Sequence, residues 1–155
     1  GRLGGFHFNG SMYGDDDLTT GSIKPYQFFL IFNELVDAMS DPAVKNPPLA
    51  WMIDASHNTK DPLEDLLQSV QNILTTYAKA LLLDRNQLEA AQQNNDVVTA
   101  EELLRDAFAI DTRALVAEAA RQNGGAIDPI GAFRDLKIRE SRIEKRGKKS
   151  VATGL

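Results

Sequence analysis

The sequence predicts an α/β fold, with two βα units over residues 1–83 and a helical extension carrying a basic tail over 84–155. Two observations predict it. The short apolar runs Phe6–Asn9 and Leu49–Ile53 each stop at polar, metal-competent residues, and each precedes a segment whose apolar residues recur at helical spacing. In a parallel α/β barrel such strand ends converge on one face. His7, Asp15, Asp17 and Asp54 stand beside those ends or in the loop between them, which makes them candidates for one divalent-metal site. Consecutive aspartates also serve as solvated turn or N-cap residues, and a histidine among apolar neighbours is often only hydrogen-bonded.

Phe6–Asn9 reads as a short buried strand and Ser11–Thr20 as a polar loop. A helix follows from Ser22, with Phe28, Phe29, Phe32, Leu35, Val36 and Met39 as its core stripe, and stops at Asp41-Pro42. Pro47-Pro48 then separates it from Leu49–Ile53, an almost continuous apolar run of the kind found where both faces of a parallel strand are covered. Asp54 ends that strand as a turn residue or a functional carboxylate, and Trp51 within it is core. Asp61-Pro62-Leu63-Glu64 is a helix start with Asp as N-cap, Pro at N1 and Glu reaching back to the cap. The stripe from Leu63 through Leu66, Val70, Ile73, Leu74 and Tyr77 to Leu82 continues it. Gln87–Asn95 is a polar helical segment, and Thr99-Ala100-Glu101-Glu102 caps a helix running through Leu103, Phe108 and Leu115 to a stop at Gly124-Gly125. Asp128-Pro129 opens a last helix, and residues 147–155 read as a frayed tail.

Composition narrows the function classes. The chain has no cysteine, which removes disulfides, thiolate ligands and cysteine nucleophiles and fits a reducing compartment. No apolar run approaches the roughly 20 residues of a membrane span. A cytoplasmic location is expected, without a membrane partner. Net charge is −5, yet basic residues outnumber acidic ones between Arg134 and Lys149. That run lacks interleaved aromatics, so a solvated helix face is expected, and nucleic acid is not expected as a partner. The chain starts at Gly1 without Met and offers two strands, whereas a complete (β/α)8 barrel takes about 250 residues, so it reads as a piece of a longer protein.

The blocks His7-Phe8-Asn9, Tyr13-Gly14-Asp15-Asp16-Asp17-Leu18, Gly21–Tyr26, Trp51–Asn58 and Lys60–Val70 span most of positions 5 to 70, with a weaker continuation at Ala114–Ala119 and Asp128-Pro129. Together they resemble the C-terminal portion of the metal-dependent L-rhamnose isomerases, in the bacterial branch with broad aldose and ketose specificity. The resemblance implies the last two βα units of a (β/α)8 TIM barrel and an aldose–ketose isomerase that interconverts L-rhamnose and L-rhamnulose by a metal-mediated hydride shift. It implies a site with two divalent metals, Mn2+ by preference with Mg2+ or Co2+ as alternatives, and a homotetramer. His7 and Asp54 would contribute to the structural metal and lie near substrate oxygens as the catalytic and substrate-binding pair. Asp15 and Asp17 would ligate the catalytic metal, and Asp16 would support the loop. The remaining ligands of the family would come from outside this chain, which alone should be inactive. Where the family continues Asp-Ser-Lys after His-Phe-Asn, this chain has Gly10-Ser11-Met12, which puts loop order and sugar preference in question.

His57 could support the site, although a loop histidine bonded to backbone is the plainer reading. An EF-hand fails at Thr20 and Tyr26, where the template needs Gly and Glu. Two rivals stand: an isomerase of the xylose isomerase type, and a non-catalytic helical assembly module whose basic tail binds an acidic partner.

Overall fold

A computed structural model describes residues 3–14, 16–44, 49–55 and 61–146. Two four-residue strands, β1 (Gly5–Phe8) and β2 (Ala50–Ile53), pair in parallel, with His7 opposite Met52 and Phe8 opposite Ile53. Parallel strands need a crossover, and helix α1 (Pro25–Ser40) supplies it. It begins later than Ser22, because the Ser22 hydroxyl turns back to the Thr19 carbonyl at 2.7 Å and stays in the loop, leaving Pro25 at the first helical turn. Gly21 makes the turn between them at φ +72°, and a Cβ there would stand 2.9 Å from the Phe28 ring.

Helix α2 (Pro62–Leu81) starts as expected at Asp61, whose carboxylate accepts from the Leu63 and Glu64 amides. Among the described residues α3 (Arg85–Gln93), α4 (Val97–Ala109), α5 (Arg113–Gln122), α6 (Pro129–Asp135) and α7 (Ile138–Arg146) follow. Glu64 pairs with Arg134 of α6, the guanidinium Nε donating at 2.8 Å, and so ties the start of α2 to α6. The cap of α4 is Asp96, three residues before Thr99; its carboxylate accepts the Thr99 amide at 3.0 Å and the Thr99 hydroxyl at 2.8 Å. The expected helix from Leu103 to Gly124 is two helices. Ile110 turns extended at the end of α4, and buried Thr112 donates its hydroxyl to the Thr75 carbonyl of α2 at 2.8 Å, which anchors the break.

The core joins Phe8 of β1 and Phe28, Phe29, Phe32, Leu35 and Val36 of α1 to Ile73 and Ala80 of α2, closed by Leu88 and Ala107. Phe32 is its hub: the rings of Phe8, Phe28, Trp51 and Tyr77 lie at centroid distances of 5.4, 5.0, 5.3 and 5.9 Å. Trp51 and the phenylalanines of α1 are therefore core, as expected. Met39 is exposed, and so are Leu63, Leu66, Val70, Leu74 and Leu81 of the expected α2 stripe. The face α2 buries is instead mixed, carrying Asp65, Ser69, Ile73 and Ala80.

The expected portion of a (β/α)8 TIM barrel is not what the chain forms. The described residues make a mostly helical α/β unit whose sheet has two strands. Apolar runs and helical periodicity specify element types in order, but not how many strands share a sheet. Among the described residues the sheet is also covered on one side only. Phe8 is buried and Trp51 and Ile53 are half-buried against the helices, whereas His7 and Met52 are exposed, which corrects the reading of Leu49–Ile53 as a strand covered on both faces. Among the described residues no helix is long and apolar enough to cross a membrane.

Candidate functional site

Strand alternation aims Phe8 into the core and His7 to the open face of the sheet, and the chain leaves β2 at Asp54. The two side chains meet there: His7 Nδ1 is 3.3 Å from Asp54 Oδ2, and they are 60% and 64% exposed. Exposure makes this pair a weak contributor to stability and leaves its atoms accessible to a ligand. Asp54 is placed through its backbone, whose N–H donates to the Phe8 carbonyl at 3.0 Å.

The loop after β1 closes on itself. Gly10 and Leu18 exchange backbone hydrogen bonds of 2.7 and 2.6 Å. The Asp16 carboxylate accepts from the Tyr13 amide at 2.9 Å and the Met12 amide at 3.0 Å, and these N–H groups, Tyr13 foremost, hold its pKa below the ordinary aspartate value. Asp17 adopts a left-handed backbone at φ 43°, and its carboxylate accepts from Asn9 Nδ2 at 2.5 Å. Asp15 and His57 lie outside the described residues.

The loop is also tied to α2, which sequence reasoning missed. The Thr19 hydroxyl donates to the Asp65 carboxylate, the Thr20 amide to Ser69 Oγ at 3.2 Å, and the Asn72 side-chain amide to the Thr20 carbonyl at 2.8 Å. Thr20 in turn donates its hydroxyl to the Phe8 carbonyl at 3.0 Å. The available signal was a polar row, Asp65, Ser69 and Asn72, at helical spacing within an otherwise apolar-rich helix.

The structure therefore pairs His7 with Asp54, and Asp17 with Asn9. Among the described residues no three histidine, aspartate or glutamate side chains gather closely enough to hold a metal ion. The chemistry of the His7–Asp54 pair nonetheless suits a cation, and at 3.3 Å the two also stand at hydrogen-bond distance from each other. One imidazole nitrogen with a carboxylate oxygen is also a donor set that Mn2+ accepts. The pair would offer a cation one nitrogen and one oxygen donor. A cleft of about 200 Å3 adjoins the loop, lined by Asn9, Gly10, Ser11, Lys24, Gln27 and Ile31 among others.

No protein-family model matches the chain. It is 50% identical over 133 residues, 86% of its length, to a probable sugar isomerase of Rhizobium meliloti. It is likewise 50% identical over 145 residues, 94% of its length, to a probable sugar isomerase of Mesorhizobium japonicum. The chain spans 31% and 34% of the length of these two relatives, so its similarity is to a segment of each.

Proposed function

We propose that this chain is part of a sugar isomerase that interconverts an aldose and its ketose, L-rhamnose and L-rhamnulose, with His7 and Asp54 at its divalent-metal site. The observation that carries the reading is the exposed His7–Asp54 pair at the ends of two adjacent parallel strands, in a chain half identical to two probable sugar isomerases. His7 and Asp54 would hold a divalent cation, Mn2+ for preference, which would supply polarisation of the carbonyl and hydroxyl oxygens of an open-chain sugar.

The chain's own residues provide the frame. The ladder between β1 and β2 fixes His7 against Asp54, and the Phe8 carbonyl fixes the Asp54 backbone. Asn9 holds Asp17 through its carboxylate, and Asp16 shapes the turn through two backbone amides. In this proposal Asp17, and Asp15, which lies outside the described residues, are the further metal ligands that the resemblance implies.

The test is conversion of L-rhamnose by the intact protein with and without Mn2+, beside an Asp54→Asn variant. The expected result is Mn2+-dependent turnover that the substitution lowers by at least the 10–100-fold typical of losing an outer-shell partner. Turnover of xylose in place of rhamnose would reassign the substrate. Absence of turnover on any aldose, with or without Mn2+, would overturn the proposal in favour of an assembly module.

A further inference from the structure

The carbonyl oxygen of Phe8 receives two hydrogen bonds, one from the Asp54 backbone amide and one from the Thr20 hydroxyl, each at 3.0 Å. A carbonyl has two lone pairs, so this acceptor is full. Phe8 lies between His7 and Asn9, and the residue it receives on the β2 side is Asp54 itself. One backbone atom thus joins the His7–Asp54 pair to the loop that carries Asp17.

Thr20 does not find that position by itself. It is fully buried, with its amide donating to Ser69 and its carbonyl accepting from Asn72, while the preceding Thr19 donates to Asp65. Asp65, Ser69 and Asn72 project from one side of α2, and Asp65 and Ser69 are themselves buried. Buried polar groups hold their geometry because losing a partner leaves a donor or acceptor without water to replace it.

We infer that Thr20, gripped by Ser69 and Asn72, is a positioning residue that sets the His7–Asp54 pair and the Asn9–Asp17 clamp relative to one another through the Phe8 carbonyl. The inference rests on the proposed isomerase reading for its catalytic consequence and on the hydrogen bonds alone for its mechanical one.

The experiment compares Thr20→Val, Thr20→Ser and Ser69→Ala in the intact protein by two readouts, backbone hydrogen exchange over residues 9–19 and steady-state aldose isomerisation. Val preserves shape and removes the donor; Ser restores it. Thr20→Val and Ser69→Ala should raise exchange of the Gly10 and Leu18 amides about tenfold or more, leave α1 and α3 unchanged, and lower kcat by about 10–100-fold with KM within a few-fold. Thr20→Ser should return both readouts towards the parent. Unchanged loop exchange in Thr20→Val, an increase spread evenly over the chain, or a loop-specific increase with kcat intact would each overturn the positioning role. A parent that turns over no aldose would sink the isomerase proposal, and loop exchange would then decide the mechanical inference separately.

Discussion

Phe32→Ala tests whether the aromatic hub is the element that holds the sheet to the helices. The ring is fully buried and meets four other rings at centroid distances of 5.0 to 5.9 Å, in edge-on, tilted and stacked arrangements. Truncating a buried Phe to Ala costs about 3–5 kcal/mol, since the lost transfer energy is compounded by the cavity left behind. That is a large part of the ~5–15 kcal/mol by which folded domains are stable. With a urea m-value of about 2 kcal/mol/M, the unfolding midpoint should fall by roughly 1.5–2.5 M. Trp51 is the sole tryptophan and its ring stands 5.3 Å from Phe32, so intrinsic fluorescence reports on the site itself. Phe32→Leu, which keeps most of the volume, should move the midpoint by roughly half as much or less. A shift below about 0.5 M for Phe32→Ala, or equal shifts for the two variants, would refute the close packing on which the argument depends.

The other predictions concern the joints between helices and their response to pH. Arg85 of α3 donates to Asn33 of α1 at 3.1 Å, to Asp37 of α1 and to the Ala80 carbonyl of α2 at 2.9 Å. Arg85→Met should cost about 1–3 kcal/mol in thermal or urea unfolding because buried Asn33 loses a partner, and Arg85→Lys should recover little, since one ammonium cannot copy the guanidinium fork; full recovery by Lys would show that charge alone matters. The N-cap Asp96 has its pKa lowered, first by the Thr99 amide and then by the Thr99 hydroxyl. A carboxyl with a depressed folded pKa stabilises fully above its unfolded value near pH ~3.9, and that contribution is lost as pH falls through the lower folded value. Carboxyl NMR titration should therefore place the Asp96 midpoint below that of an unstructured aspartate, and a midpoint at or above it would contradict the cap. Asp96→Asn should keep α4 capped while making this part of the acid dependence disappear; persistence of the same dependence would assign it to another group.

Helices were legible where the signal was local. Asp61 followed by Pro62 marked the start of α2, Asp128 followed by Pro129 that of α6, and Gly124 the end of α5, because caps and turns are settled by a few neighbouring groups. Boundaries failed where a distant contact decided. The break at Ile110–Thr112 depends on the Thr75 carbonyl of α2, far away in sequence, and no periodicity in α4 or α5 announces it. Glu64 looks like the second half of a capping box, yet it pairs with Arg134. The sheet failed for a related reason. Helical and extended runs follow from nearest neighbours, whereas sheet size depends on which strands are present to pair, and here β1 and β2 pair only with each other among the described residues.

The candidate site divides along the same line. His7 and Asp54 were readable because a metal-competent imidazole and carboxylate stand beside apolar runs, and the structure does bring these two together. The groups that position them are common ones. Thr20 and Ser69 carry hydroxyls that sequence reading assigns to loop and helix surface, and the Phe8 carbonyl has no letter of its own. Their importance follows from accounting for buried polar groups: Thr20 is fully buried, so each of its polar atoms needs a partner. Satisfying its hydroxyl at Phe8 while Asp54 uses the same oxygen leaves that carbonyl no vacant lone pair. A candidate site whose side chains are largely exposed can therefore be held by a small set of buried, chemically ordinary groups behind it, and substitutions in that set should alter loop exchange and turnover together.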